Sequence, residues 1–426
     1  MAEISAPRGV RDILPDESWK WAHVFRTIGE TARDFGYSEV HLPIFEHTEL
    51  FARGIGDTTD VVEKEMYTFT DKGGRSITLR PEATASMVRS YLEHRMDILP
   101  QPVKMWCTGP MFRYERPQKG RYRQFWQVDF ESLGSPHPYA DVEIIALSLE
   151  AFRRLGLTSL EVVINSVGCP ACRPAYRKEL SDYFASRSEE LCGTCRDRLE
   201  RNPLRILDCK REGCRKVTED APDVLGSLCE ECREHFDSVR SGLDSLGAAY
   251  HIDKRLVRGL DYYTKTAYEV LSGALGSQNA VCGGGRYDNL AEAIGGPPVP
   301  GVGFAAGVDR IVMVMEEEGC SFGPEPLIDV FGVALDEPSR TELLRLVDAL
   351  RRAEISADMD YGKRSMKAQM KSASSRKARF ACIIGESEVA AGTVVVKNLQ
   401  DGEQREIPVS DAPLDIRTQL LSTRKG

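Results

Sequence analysis

A chain of 426 residues is too long for one ordinary core and points to two or three domains. Its 42% apolar and 28% charged content is that of a soluble globular protein, and no run of eighteen apolar residues would span a membrane. The net charge of −9 excludes a protein that coats nucleic acid indiscriminately, while leaving room for a local RNA site.

The opening stretch, Met1 to Pro7, carries an acid where a secretory leader wants a base, so the cytoplasm is the expected compartment. Trp19, Ala22, Phe25, Ile28, Ala32 and Phe35 recur at three- and four-residue steps and predict an amphipathic helix over 18–35. A strand follows at 37–42 and stops at Pro43, which cannot donate to a ladder. Strand signals recur at 66–70, 76–80, 103–112 and 124–132, and helical ones at 83–95 and 140–155. Strands and helices without regular alternation predict an α+β fold with an antiparallel sheet flanked by helices.

Between 166 and 240 apolar density falls, and the segment reads as a small, mostly helical insertion. It holds the pairs Cys169/Cys172, Cys192/Cys195 and Cys229/Cys232, with Cys209 and Cys214 between them. In a long unsecreted chain these are free thiols or metal ligands rather than disulfides. Their spacing leaves a structural zinc and buried thiols both open, and the identity of any metal unknown.

Strands are predicted again at 249–258 and 266–271. The glycines at 283–285 and at 301, 303 and 307 do not fit the dinucleotide fingerprint, since one residue too many separates Gly303 from Gly307. Small residues there would let a flat ligand lie against the backbone. A helix over 309–318 ends at Gly319, and Gly323-Pro-Glu-Pro326 reads as a linker. Strands at 328–335, 355–360 and 380–384 then alternate with helices at 340–352 and 365–376, the pattern of a separate α/β domain. Lys363, Arg364, Lys367, Lys371, Arg376, Lys377 and Arg379 lie in a stretch free of acids, either a solvated face or an RNA footing.

Three segments carry a resemblance. Gly36 to Pro43, Phe112-Arg-Tyr-Glu115 with Arg123 to Glu131, and Gly301 to Arg310 resemble, in order, the three motifs of class II aminoacyl-tRNA synthetases. With Pro81-Glu-Ala-Thr84 and Arg258-Gly-Leu-Asp-Tyr-Tyr263 they are similar to the bacterial histidyl-tRNA synthetase family, over nearly the whole chain. The resemblance implies a ligase that makes histidyl-adenylate from L-histidine and ATP with Mg²⁺, then charges histidine tRNA. It implies a class II catalytic domain over 1–325 containing the insertion, an anticodon-binding α/β domain over 327–426, and a homodimer through the Pro43 motif.

The chemistry suits the residues. A carboxylate must approach an anionic phosphorus, so cations must converge from different elements, and Arg113, Arg258 and Arg310 sit in separate segments. By resemblance, Arg113 and Arg258 are catalytic contacts to the α-phosphate, Arg113 also binding the substrate carboxylate. Glu115 faces the adenine amino group, Arg121 meets the triphosphate and Arg310 the γ-phosphate. Glu82 and Thr84 bind the α-amino group of histidine, and Ala83 belongs to the same histidine-binding set. Gln127 and Glu131, four apart on a strand, share one face, where an acceptor pair would hold the amino acid; Tyr262 joins the histidine-binding set and Tyr263 reaches the imidazole. Arg116, Lys119 and Arg123 would meet the tRNA acceptor end, and Lys363, Arg364 and Lys367 the anticodon. The alternative is the synthetase-like regulatory subunit of ATP phosphoribosyltransferase, expected to lack both an intact Arg258–Tyr263 stretch and the C-terminal domain.

Overall fold

The computed structural model describes residues 4–56, 59–276 and 279–423, so the first three residues of the stretch read for a leader lie outside it. Two compact units part between Gly323 and Pro324. No described helix is long and apolar enough to cross a membrane.

The first unit opens with α1 (Pro15–Asp34), which starts three residues before the predicted helix. Pro15 fits a first turn whose N–H has no partner anyway, and Asp16 and Glu17 complement the helix dipole. Of the predicted strand at 37–42 only β1 (Ser38–Glu39) joins a ladder. β2 (Phe45–His47), β3 (Thr68–Thr70) and β4 (Ser76–Leu79) make a small antiparallel sheet in the order β2–β4–β3. α2 (Thr48–Ile55) packs against α3 (Thr84–Glu93).

The main sheet is completed by β5 (Val103–Phe112), β6 (Gln124–Leu133), β7 (Leu160–Ser166), β8 (His251–Ile252), β9 (Thr264–Ser272), β10 (Ala280–Arg286) and β11 (Gly301–Gly307). Its order is β1–β5–β6–β11–β10–β9–β7–β8; the six inner strands are antiparallel and both short edge strands pair in parallel. Strand alternation sorts β6 cleanly. Val128 and Phe130 join the apolar core with α1, α4 (Pro138–Arg154) and α10 (Val308–Glu317), whereas Gln127, Asp129 and Glu131 face the other way. On the core side Trp106, Phe130 and Phe304 stack, with centroids 5.8 and 4.9 Å apart.

The strand predicted at 249–258 is corrected: only His251–Ile252 is strand, and 253–263 is a loop. Its carbonyls bond a side chain instead of a neighbouring strand, because the Asn165 amide donates to the oxygens of Lys254 (3.3 Å) and Leu256 (3.0 Å). The Asp253 carboxylate accepts from the N–H of Arg255 and tightens the turn. The glycine clusters stand in adjacent strands, Gly285 opposite Gly303, with the short helix α9 (Leu290–Ala293) on the connection between them.

The insertion is helical: α5 (Arg173–Ala185), α6 (Gly193–Arg201), α7 (Glu212–Glu219) and α8 (Glu230–Ser245) surround a core of Tyr176, Leu180, Phe184 and Ile206 with buried cysteines. α8 also packs on α4, and His235 Nε2 lies 3.2 Å from Asp141. Asp141 is itself fully buried against Arg286, whose Nε donates to it at 3.0 Å and whose Nη1 reaches Ser135 O and Asp288.

The second unit runs β12 (Val330–Ala334), α11 (Glu337–Arg352), β13 (Ala357–Met359), α12 (Met366–Ser375) and β14 (Phe380–Ile384), the predicted alternation. α13 (Glu386–Ala391), β15 (Thr393–Asn398), β16 (Gln404–Pro408) and α14 (Ala412–Thr423) follow. The sheet is mixed, in the order β13–β12–β14–β15–β16, parallel among the first three and antiparallel beyond. The fold is mixed α+β throughout.

Candidate functional site

A cavity of about 580 Å³ opens on the face of the main sheet away from the apolar core. Glu82, Thr84, Arg113, Glu115, Arg121, Gln127, Arg258, Tyr262, Tyr263 and Arg310 all line it, although they come from segments up to 228 residues apart (310 − 82). Glycine clears the floor. A Cβ on Gly283 would overlap the Arg258 guanidinium, and one on Gly303 would overlap the Glu131 carboxylate.

Each arginine is held before any ligand arrives. Arg113 Nε donates to Pro81 O at 2.8 Å, and its guanidinium lies 5.5 Å from the centroid of the Phe125 ring. Arg310, in the first turn of α10, donates from Nη1 to Ala280 O at 2.6 Å and from Nε to Gly120 O at 3.3 Å. Burial, then the charges of Arg121 and Arg113, push its pKa down. Such mutual repulsion is what an anion would relieve. Arg258, on the loop after β8, pairs with Glu269 of β9 and lies 5.4 Å from the Tyr263 ring centroid. Burial opposes its charge, but Tyr263 and Glu269 outweigh that and raise its pKa. Arg121 meets Glu115 at 2.8 Å.

At the other end of the cavity is a pocket of acids and phenols. Glu82 accepts from the N–H groups of Thr84 (2.9 Å) and Ala85 (3.0 Å), capping α3. Thr84 Oγ1 donates to Glu131 Oε1 at 2.6 Å, and the Tyr287 hydroxyl donates to Oε2. Tyr262 packs against Tyr263 and Tyr287, with centroids 4.7 and 5.6 Å apart. Burial drives the Glu131 carboxyl well above the usual range and raises that of Glu82. Gln127 Oε1 is buried without a hydrogen-bond partner. Ala83 and Glu131 do not line the cavity: Ala83 is fully buried in the cluster around Met87 and Tyr91, and Glu131 is buried behind Thr84.

Several residues escaped the sequence reading. Asp129 lies between Gln127 and Glu131 on the same face, fully buried, both oxygens unpartnered and its carboxyl pushed well up by burial and then by Glu82. Strand parity alone would have found it. Glu269 had a signal too, an acid inside an apolar strand. Tyr287 had none. Arg80, buried, donates to Leu42 O (3.2 Å), Pro43 O (3.4 Å) and Pro110 O (3.0 Å), tying the Pro43 turn to the pocket wall. Arg198 and Arg205 reach the cavity from the insertion, a return no local pattern predicts.

The remaining candidates lie apart. Arg116 and Lys119 are exposed on the loop between β5 and β6. Arg123 is half-buried, donating to Glu115 O at 3.2 Å and stacking 3.7 Å from the Tyr114 ring centroid. Lys363, Arg364 and Lys367 are exposed in the second unit, on the turn into α12 and its first residues, beside exposed Tyr361; Arg364 pairs with Asp360.

Comparison with known proteins sets this geometry in context. The family model for histidyl-tRNA synthetase matches residues 9–311, and that for an anticodon binding domain matches 329–419. The chain is 50% identical to the histidine–tRNA ligase of Acetivibrio thermocellus, over 94% of this chain and 96% of that one. It is 51% identical to that of Desulforamulus reducens, over 97% and 99%. Among solved structures, apo histidyl-tRNA synthetase of S. aureus superposes with a TM-score of 0.82 at 38% identity, covering 97% of this chain and all of the other. An ATP phosphoribosyltransferase regulatory subunit/histidyl-tRNA synthetase from Bacillus halodurans shares the fold, with a TM-score of 0.65 at 21% identity over 90% of this chain and 99% of that one.

Proposed function

The chain belongs to the histidyl-tRNA synthetase family, and from that premise we infer how its cavity activates L-histidine with ATP and passes the histidyl group to histidine tRNA. The observation that carries the reading is the convergence of Arg113, Arg258 and Arg310, from three elements, on one cavity that ends at Glu82 and Thr84, with Glu131 buried behind Thr84.

Histidine lies with its α-ammonium toward Glu82, Thr84 and Gln127, whose free acceptor oxygen suits a cationic donor. Asp129 adds a further carboxylate on that face. Glu131, aligned by Thr84 and Tyr287, and Tyr263 with Tyr262 read the imidazole; a wrong side chain would leave these buried groups unpaired. Arg113 holds the histidine carboxylate against the α-phosphate while Arg258 neutralises charge growing on that phosphate. ATP lies over the small residues of β10 and β11, with Glu115 at the adenine, and Arg121 and Arg310 at the outer phosphates. Carboxylate oxygen attacks, and pyrophosphate leaves in line. Glu269, which lines the cavity, is a carboxylate that would help hold a nucleotide-borne Mg²⁺, whose charge would offset that of the leaving pyrophosphate.

Arg116 and Lys119, exposed at the cavity's rim loop, with Arg123 bracing that loop, receive the tRNA acceptor end. The second unit, with Lys363, Arg364 and Lys367 and an exposed aromatic, reads the anticodon loop. Exposed Ile44, Phe45 and Phe69 beside the Pro43 turn supply an apolar face for a homodimer. The substrates point to the cytoplasm. Structural zinc, the remaining cofactor of this reading, stays outside the chemistry of activation. The regulatory-subunit alternative is disfavoured by the intact Arg258–Tyr263 stretch and the anticodon-domain match. Pyrophosphate exchange with each amino acid in turn tests the reading: histidine alone should support it, and exchange with another amino acid at comparable rate would overturn it.

A further inference from the structure

The eight cysteines of the insertion gather into two quartets, Cys169, Cys172, Cys229 and Cys232, and Cys192, Cys195, Cys209 and Cys214, the four sulfurs of each within 4.8 Å of one another. The separations are telling. Cys169 to Cys229 is 3.8 Å, Cys169 to Cys172 is 3.7 Å, Cys172 to Cys232 is 3.9 Å, and Cys192 to Cys209 is 4.0 Å. Four sulfurs at about 2.3 Å from one Zn²⁺ form a tetrahedron with edges of about 3.8 Å. A disulfide would need about 2.05 Å, and all eight thiols are free.

Packing alone does not account for this. Thiols acting as small hydrophobes would all be buried, yet in each quartet two are buried and two half-exposed. Backbone N–H groups aim at the sulfurs, as thiolates require: Cys169 N to Cys172 Sγ at 3.1 Å, and Cys192 N to Cys214 Sγ at 3.2 Å. The segment's own core is small, the case in which a metal staple contributes folding energy directly.

Both quartets sit next to contacts with the activation stretch. Beside the first, Arg173 donates to Tyr263 O and Glu231 accepts from Lys265 at 2.8 Å. The second lies closer still, since Cys192, Cys195 and Cys209 line the cavity itself. From the α6 turn that these cysteines fix, Arg198 reaches Asp60 at 3.0 Å, Asn202 reaches Asp261 at 3.2 Å, and Arg205 reaches Gly259 O.

We propose that each quartet binds one Zn²⁺ as a tetrathiolate, and that the Cys192/Cys195/Cys209/Cys214 centre holds the cavity wall against the Arg258–Tyr263 stretch, making histidine activation depend on that metal. Binding displaces thiol protons to solvent and changes no oxidation state. The second half of the proposal rests on the cavity being the activation site; the first half does not.

The test uses the full chain. Elemental analysis after expression with zinc should give two Zn²⁺ per chain, and Co²⁺ replacement should give tetrahedral thiolate absorption saturating at two equivalents. Cys192→Ser/Cys195→Ser and Cys169→Ser/Cys172→Ser should each retain one metal. The former should lose at least ten-fold in histidine-dependent exchange. Should either variant fail to fold, stepwise chelation of the unmodified chain replaces it, with exchange expected to fall as the second-quartet metal leaves and to return on adding Zn²⁺. No metal and no Co²⁺ saturation would overturn the sites. One metal in the Cys192/Cys195 variant with exchange unchanged, or metal removal without loss, would overturn the coupling. Absence of histidine exchange in the metal-loaded, unmodified chain would instead sink the reading of the cavity.

Discussion

The cations of the two units are held in opposite ways. In the first, Arg113 and Arg310 are bonded to backbone carbonyls, and Arg258 to Glu269, so each guanidinium is fixed before a ligand enters. In the second, Lys363 and Lys367 project into solvent from the approach to α12. A transition state gains from charge that need not reorganise, whereas a nucleic-acid backbone gains from the sum of charges near it. The same residue chemistry therefore yields position in one unit and local concentration in the other.

Breaking the fixed set should cost most. Arg258→Ala should lower histidine-dependent pyrophosphate exchange by two to three orders of magnitude, from loss of roughly 3–4 kcal/mol of transition-state stabilisation. ATP binding by equilibrium titration should change little. Near-normal exchange would reduce Arg258 to an ion-pair partner of Glu269. Breaking the loose set, together with Arg364 that stands between its two lysines and pairs with Asp360, should cost less and differently. Neutralising Lys363, Arg364 and Lys367 together should raise KM for tRNA about ten-fold and flatten its logarithmic salt slope by about two, each lost phosphate contact on single-stranded RNA counting about 0.7. Exchange should not move. An unchanged salt slope would remove these residues from the RNA surface.

The smallest effect sharpens the comparison inside the pocket. Burial raises the carboxyls of Glu82, Asp129 and Glu131, so in the free chain their neutral forms are favoured above the usual carboxylate range near pH 4. A raised folded-state pKa gives stability that is complete at low pH and lost as pH rises through it. The histidine ammonium favours the charged forms instead, so binding should shed protons and tighten as pH rises from that range toward neutrality. Calorimetry in buffers of different ionisation enthalpy reads the proton count, and Asp129→Asn should lower it. An equal count in both chains would leave Asp129 out of the ligand's field.

Much of this was legible because the signals were local. Parity placed Gln127 and Glu131 on one face, the proline and glycine near 323–326 marked the division of the chain, and the glycine runs foretold a cleared floor. What stayed hidden depended on return paths. Residues 253–258 read as the end of a strand, but the Asn165 amide, about ninety residues earlier, takes up the Lys254 and Leu256 carbonyls and holds them in a loop. Arg198 and Arg205 were unremarkable cations until the insertion folded back on the cavity. β15 and β16 did leave a local trace, Asp401-Gly402 with Gly402 at φ +83°, the turn between two strands.

His235, Asp141 and Arg286 bear on how freely such a chain can be rearranged. An appended module can be cut away at its linker, but α8 contributes Phe236, Val239 and Leu243 to the same core as α4, and its histidine meets the carboxylate that also holds Arg286. Excising residues 166–240 would strip the cover from α4 and withdraw a hydrogen-bond partner from a carboxylate that water does not reach. The insertion is thus spliced into the host rather than docked on it. A transplant to another scaffold would have to carry α4 and β10 along with it.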